Sequence, residues 1–519
     1  PSIPMLRTLF ARVVLAVALV PALALAQLPA GVTQGVNVEG VMQFRLDNGL
    51  EVLLYPDDSK PTTTVNVTYK VGSRHENYGE TGMAHLLEHL MFQGSPSAEN
   101  LWKEFGKRGM EMNGTTFYDR TNYFESFPAS DESLAFALRV EAERMTQAFI
   151  RKSSLDSEMT VVRNEFENGE NSPLMVLWQK MQAASYDWHA YGKSTIGARS
   201  DIENVDIGRL QAFYRTYYQP DNAVLVVAGK FDPKATLEIV AREFGRIPKP
   251  SRALPRLYTS EPTADGERSV AVRRTASAQY VGALFRVMPG AHPDYAAMEA
   301  LGEIMTVEPA GRLYQALVEA RKATSVQNWS FATHDPGPAI FFAQVALGEP
   351  IDPAKDAMLA TLFAVKDRPI TQEELDRVRT RFLKDFDQTV NDPKAFGIQL
   401  SEWIALGDWR LFFLHRDRWR KLAPADVTRV ATEWLKPANM TLGTFVPDAK
   451  PDRAPAVAAV DVSALVADYK GDAAVVAGES FDPTPANLEA RTERVKLGNG
   501  MKLALLPRKT RGEIVRFSL

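Results

Sequence analysis

The 519-residue chain contains no cysteine. Any metal site must therefore be built from histidine and carboxylate side chains. Lipid attachment behind a leader is excluded for the same reason. The absence permits an oxidising compartment without proving one. Neither sign of charge is in excess: 60 Lys and Arg stand against 64 Asp and Glu, a net charge of −4. Nothing in that balance points to nucleic acid. Long apolar runs are missing too. The run Val13–Val20 is short for a membrane span. Met5-Leu6-Arg7 and Arg12 precede it and Ala24-Leu25-Ala26 follow it, which is the layout of an export signal. Residues 1–26 are expected to be removed near Gln27, with Pro1–Pro4 as upstream sequence. The mature chain is expected in the periplasm or outside the cell, free of the membrane.

Only seven histidines are present, and two of them lie four residues apart. The run Thr81-Gly-Met-Ala-His-Leu-Leu-Glu-His-Leu-Met-Phe92 holds His85, Glu88 and His89. On a helix, positions i and i+4 share a face, so the two imidazoles can hold one metal ion. Glu88 falls on the same side, beside any water bound there. The order inverts the HExxH zinc helix and is itself a zinc-protease pattern. Met83, Leu86, Leu87, Leu90 and Met91 surround it, so the helix is buried and its polar groups need partners. A zinc site that keeps one position for water needs a third protein ligand, from the other histidines or the acids. The segment Leu155–Asn168 reads as a helix. Glu158 and Glu165, two turns apart, share a face there, with Val161 and Val162 between them on the buried side.

His85-Leu-Leu-Glu88-His89, with Glu165 76 residues beyond His89, resembles the insulinase/pitrilysin family of zinc metallopeptidases. The resemblance implies Zn²⁺ held by His85, His89 and Glu165, with Glu158 orienting a ligating imidazole through its other N–H. Glu88 is implied as the general base. Asn113–Phe124 resembles the strand pair that follows the zinc helix in the family. There the edge strand, here around Asn113 and Gly114, pairs with substrate backbone, a β-augmentation. Tyr191–Gly197 and Tyr217–Gly229 resemble family segments as well, the latter with the continuous apolar run of a buried strand. The enzyme that cleaves S-ribosylhomocysteine shares the HxxEH spacing, but its third ligand is a cysteine. The absence of cysteine and the chain length argue against it.

The chain is too long for one core. A zinc-binding peptidase domain is expected over 42–250, a linker over 251–268 and a metal-free homologous domain over 269–447. Pro220-Asp-Asn222-Ala-Val-Leu225 recurs as Pro437-Ala-Asn439-Met-Thr-Leu442, but the second copy has no HxxEH. Residues 448–490, rich in Ala, Asp and Pro, read as a connector. Leu497-Gly-Asn-Gly-Met-Lys-Leu-Ala-Leu-Leu-Pro507 repeats Leu46-Asp-Asn-Gly-Leu-Glu-Val-Leu-Leu-Tyr-Pro56. Residues 491–519 are therefore expected to open a third homologous unit, and the chain to be the front half of a longer protein.

The expected fold is α+β: two homologous domains, each an antiparallel-rich sheet with helices on one face. By resemblance they form half of a clamshell around peptides. The implied function is zinc-dependent hydrolysis of peptide bonds in peptides or unfolded segments. The implied partners are a peptide substrate and a second homologous half, either downstream or on another chain. In the family that half supplies an R-x-x-x-x-G-x-Y segment. Its best match here places Val318 and Ser325 where Arg and Tyr would stand. The alternatives are a catalytically weak partner or structural subunit of the same family, and a periplasmic peptide-binding protein with an incidental metal.

Overall fold

A computed structural model describes residues 28–519. The expected export signal and its cleavage near Gln27 lie outside the described residues. Residues up to Pro451 form one unit and Asp452–Leu519 another.

The first unit contains two sheets. The first comprises β1 (Val32–Val38), β2 (Val41–Leu46), β3 (Glu51–Pro56), β4 (Thr62–Tyr69), β5 (Glu111–Thr116), β6 (Thr121–Pro128) and β7 (Ala223–Gly229). Its order is β1-β2-β3-β7-β4-β6-β5. The second comprises β8 (Arg268–Arg274), β9 (Gln279–Arg286), β10 (Ser325–Ser330), β11 (Pro338–Val345) and β12 (Met440–Pro447), ordered β10-β11-β9-β12-β8. Five strands thus follow one plan twice, with β5-β6-β4-β7-β3 matched by β10-β11-β9-β12-β8. In each sheet one pair is parallel, β3 with β7 and β8 with β12.

Local chemistry explains the elements. Asn48 and Gly49 close the β2–β3 hairpin. Gly49 sits at φ +100°, and the Asn48 amide donates to the Phe244 and Ile247 carbonyls at 2.8 and 3.0 Å. The apolar β7 is buried along its whole length between β3 and β4. Asn222 donates to the Lys70 and Tyr217 carbonyls, and Asn439 in the second half donates to those of Arg286 and Trp434. The sequence repeat is therefore a repeat of hydrogen bonding.

The helices that position the site are α1 (Met83–Leu90), α2 (Lys152–Glu170), α3 (Pro173–Ser185), α4 (Ile207–Tyr217), α5 (Tyr295–Thr306), α6 (Gln372–Val390), α7 (Pro393–Ala405), α8 (Leu411–Lys421) and α9 (Pro424–Trp434). α2 and α6 are both 19 residues long, and α3 and α7 both 13. Laid end to end, Leu155 matches Leu375, Phe166 matches Phe386 and Asn171-Ser-Pro173 matches Asn391-Asp-Pro393. Ser172 and Asp392 cap the N-termini of α3 and α7, with proline next in each.

Each sheet carries its own half's helices on one face. The other face receives a helix from the opposite half. Phe396, Leu400, Trp403 and Ile404 of α7 pack on Val41, Leu53, Val224 and Val226 of the first sheet. Val176, Leu177, Trp178 and Met181 of α3 pack on Leu284, Ile340, Phe342 and Phe445 of the second. Close approach here requires glycine: a Cβ on Gly443 would lie 2.2 Å from the Met181 sulfur. The exchange continues in charge, where both guanidinium arms of Arg416 meet the Glu39 carboxylate at 2.6 Å.

Residues 248–267 hold no helix or strand. In the second unit, β13 (Glu493–Lys496) and β14 (Lys502–Leu505) form an antiparallel hairpin, with Lys496 opposite Lys502. Its turn has Gly500 at φ +87°, as Gly49 does in the first hairpin.

Candidate active site

α1 follows β4 and packs against α2 and β5. Its apolar positions are buried as the pattern required, with Leu86, Leu87 and Leu90 at most 1% exposed. His85 and His89 project from the remaining face, ring centroids 4.9 Å apart. Each Nε2 lies 3.6 Å from Glu165 Oε2 on α2. One donor atom from each of His85, His89 and Glu165 falls within a 4.8 Å cluster.

These donors fit Zn²⁺: two imidazole nitrogens and a carboxylate oxygen, with room for a fourth ligand. The His89 tautomer fits as well. Glu158 Oε2 lies 3.2 Å from His89 Nδ1, and Gln93 donates to Glu158 Oε1 at 2.8 Å. Nδ1 of His89 is thus engaged while Nε2 turns to the cluster. Burial, aided by neighbouring His89, lowers the His85 pKa to about 4, so its ring is neutral at pH 7 and able to ligate. Glu158 and Glu165 share a face of α2, as their spacing predicts. The expectation for the valines between them is half right. Val162 is fully buried, but Val161 is 42% exposed, because one residue turns a helix by about 100°.

Glu88 is 8% exposed, and burial lifts its carboxyl above the ordinary range against the pull of Thr116 and His89. Thr116 Oγ1 donates to Glu88 Oε2 at 2.7 Å. One carboxylate oxygen is held and the other is left for chemistry. These side chains open into a cavity of about 440 Å³ that Trp102, Asn113, Gly114 and Thr115 also line.

β5 forms one wall of the cavity and one edge of its sheet. The Phe117 N–H bonds the Arg120 carbonyl at 2.9 Å and closes the β5–β6 hairpin. Ladder alternation then turns the Gly114 backbone outward. Its N–H meets only the neighbouring Asn113 Oδ1, at 2.9 Å. A side chain at Gly114 would crowd the site, since a Cβ would stand 3.2 Å from Glu88 Oε1 and 3.1 Å from Phe92.

Two functional residues escaped the sequence reading. Thr116 is one; its hydroxyl is assigned only once β5 is folded beside α1. Glu76 is the other. Its oxygens accept from the Gly82 and Ala84 amides at 2.9 and 2.8 Å, capping α1 from outside the helix. A signal was present: the residue before α1 is Gly82, which has no side chain to cap with.

The family model "Insulinase (Peptidase family M16)" matches residues 51–199, which contain the cluster. "Peptidase M16 inactive domain" matches residues 204–382, which contain no HxxEH. The chain belongs to the insulinase family of peptidases. It is 27% identical over 403 residues to zinc protease PqqE of Helicobacter pylori, covering 76% of this chain and 90% of that protein. It is 23% identical to the probable zinc protease PqqL of Escherichia coli, over 66% of this chain but only 38% of that longer protein. Among solved structures, a protease from Helicobacter pylori matches with a TM-score of 0.75 at 26% identity, over 78% of this chain and 99% of that one. The first half of the periplasmic protease PqqL from Escherichia coli matches with a TM-score of 0.64 at 19% identity, over 80% of this chain and 93% of that one. The α+β fold of two like halves is thus the fold of half an M16 clamshell.

Proposed function

We propose that the chain is the zinc-binding half of a metalloendopeptidase that hydrolyses peptides or unfolded segments. The observation that carries this is the convergence of His85, His89 and Glu165 within 4.8 Å, beside Glu88 and an open sheet edge in one cavity. Zn²⁺ held there supplies Lewis-acid chemistry at neutral pH. The chain's own residues do the rest. The free edge of β5 at Gly114 receives an extended peptide by backbone pairing, with Asn113 giving up its local contact. Glu88 takes a proton from the attacking water and returns it to the leaving amine. Thr116 keeps Glu88 in one orientation, and Glu158 keeps His89 in one tautomer.

The chain binds metal by itself but cleaves weakly, since the Arg and Tyr expected to grip substrate belong to a second homologous half. The β13–β14 hairpin and the match to only 38% of PqqL support that half's being encoded downstream; a partner chain is the other source. The proposed domains remain a zinc-binding part over 42–250 and a metal-free part over 269–447; the two separate sheets support this division, although β1 and Val41 of the first sheet precede residue 42. No helix among the described residues is long and apolar enough to cross a membrane. Export to the periplasm, with cleavage near Gln27, rests on the pattern at residues 5–26 and is checked by N-terminal sequencing of exported protein.

The test measures zinc per chain and cleavage of an internally quenched fluorescent peptide library. One zinc per chain with cleavage that chelation abolishes is the expected result. A zinc-loaded chain that cleaves nothing, even with its second half present, overturns the hydrolytic reading.

A further inference from the structure

The metal-free half reaches the Gly114–Thr116 end of β5 through Arg120, which α7 holds by Glu402. Arg120 follows the turn between β5 and β6. Its Nε donates to Glu402 Oε1 on α7 at 3.0 Å, and Nη2 binds the same oxygen. Nη1 donates to the Thr115 carbonyl at 3.0 Å and to Asn122 Oδ1 at 2.9 Å, and also binds the Thr115 hydroxyl. Arg120 is 12% exposed and Glu402 33%. A guanidinium so enclosed and forked holds geometry as well as charge.

The grip has a buried base. The Thr115 hydroxyl donates to Asn122 Oδ1 at 2.6 Å, and the Asn122 amide donates to Asn66 Oδ1 at 2.9 Å. The Asn66 amide ends on α7, at the Gly397 carbonyl (2.9 Å) and Ser401 Oγ (2.8 Å). Asn66 and Asn122 are fully buried. At the far end of β5, Lys394 of α7 meets Glu111 at 2.6 Å. That exposed pair contributes little.

Adjacent residues of a strand face opposite ways. Thr115 faces α7 and is clamped by Arg120. Thr116 faces α1 and holds Glu88. Gly114, one residue back, offers the backbone edge. A shift of Thr115 therefore moves the holder of the base and the receiver of the peptide together.

We infer that Arg120, anchored by Glu402 from the metal-free half, is a positioning residue for peptide hydrolysis: it fixes the Gly114–Thr116 end of the edge strand relative to Glu88. The inference rests on the hydrolytic reading above. It gives the metal-free half of this chain a part in the chemistry that needs no metal ligand.

The experiment uses the whole chain with its second half, as Arg120→Ala, Arg120→Lys and Glu402→Gln. Zinc content, kcat and KM on the quenched peptide library, and amide hydrogen exchange over Asn113–Thr116 are measured. Arg120→Ala should keep its zinc, lose about 10- to 100-fold in kcat, and exchange faster at these amides. KM should move by less than about 3-fold. Arg120→Lys keeps the charge but not the fork and should fall between parent and Arg120→Ala. Glu402→Gln should lower kcat on its own and add nothing to Arg120→Ala. Parental kcat in Arg120→Ala overturns the inference, as does a loss of turnover matched by loss of zinc. If Arg120→Ala does not fold, parental kcat in both Arg120→Lys and Glu402→Gln overturns it. A zinc-loaded parent that cleaves nothing overturns the hydrolytic reading and the catalytic part of this one. The exchange data then still decide whether Arg120 holds the strand.

Discussion

α1 and α5 occupy the same place in the two halves, one after β4 and one after β9, yet their polar groups serve different ends. α1 packs on α2 and β5, and α5 on α6 and β10. On α1 the polar residues face a cavity and leave donor atoms free. On α5, Glu299 is already paired, accepting from Trp419 Nε1 and His415 Nε2 of α8, each at 2.7 Å. The helices behind them diverge in step. Where α2 has Glu158, the matched position of α6 is Val378, 2% exposed. Where α2 has Glu165, α6 has Asp385, whose side chain is 61% exposed. A carboxylate that orients an imidazole has no use where there is no imidazole, and an apolar residue packs better there. One scaffold thus holds polar groups with free donor atoms in one copy and paired ones in the other.

The sharpest test of that contrast is substitution on both helices. Glu88→Gln should retain zinc and lose about 10²–10⁴-fold in turnover, since the amide cannot take a proton. Glu299→Gln, assayed well below its melting temperature, should keep zinc and turnover near parental values. Near-normal cleavage by zinc-loaded Glu88→Gln would break the assignment. His85→Ala and Glu165→Ala should each lose the metal, and full occupancy in both would remove the ligand set.

A second test asks whether two halves that differ in chemistry share one stability. Trp178 of α3 and Trp403 of α7 are 6% and 7% exposed, each buried on the sheet of the other half. Truncation to alanine should cost about 3–5 kcal/mol in either case. Because each half covers the other's sheet, calorimetry should show one main transition, lowered by both variants. Two transitions, only one of which moves in each variant, would show that the exchanged helices do not couple the halves.

What was legible beforehand follows from the range of the interactions. His85, Glu88 and His89 sit within one turn and a half of helix, so their spacing alone sets their relation. The apolar β7 and the Asn48-Gly49 turn are local signals of the same kind. Glu165 and Glu158 share a face by periodicity, but their meeting with α1 came only from the family resemblance, since no local rule brings α2 to α1. The crossing of α3 and α7 was hidden for a physical reason. A helix with apolar residues on one face, such as Val176, Leu177 and Met181, is equally suited to either sheet. Pattern shows that a face is buried, not against what. The remote cap by Glu76 and the clamp by Arg120 depend on loops, where spacing carries no geometry.

A smaller effect concerns the missing grip on substrate. Adding the second homologous half, covalently or in trans, should raise turnover by residues 27–519 about 10-fold or more, through positioning and exclusion of water. Equal rates with and without it would mean that this chain needs no second half to close over a peptide.

The smallest expected effect separates the two halves by pH. Burial pushes the Glu76 carboxyl up to about 8, against the Ala84 and Gly82 amides that lower it. A carboxyl raised above its unfolded value of about 4.5 contributes most below that value, and the contribution fades as pH rises toward 8. In the second half, burial also opposes the Glu299 charge, but His415 and Trp419 outweigh it and hold the carboxyl below the ordinary range. Its contribution is present above about pH 4.5 and is lost as pH falls below that. The two acids therefore act in different windows and with opposite slopes. Glu76→Gln should flatten the decline in stability between about pH 4.5 and 8, and Glu299→Gln the decline below about 4.5. Denaturant midpoints measured across pH 3–9 for parent and both variants read this directly. If Glu76→Gln changes only the acid limb, Glu76 is ionised through the neutral range. Its two amide bonds would then outweigh burial, and the cap on the zinc helix would be a permanent charge rather than a titrating one.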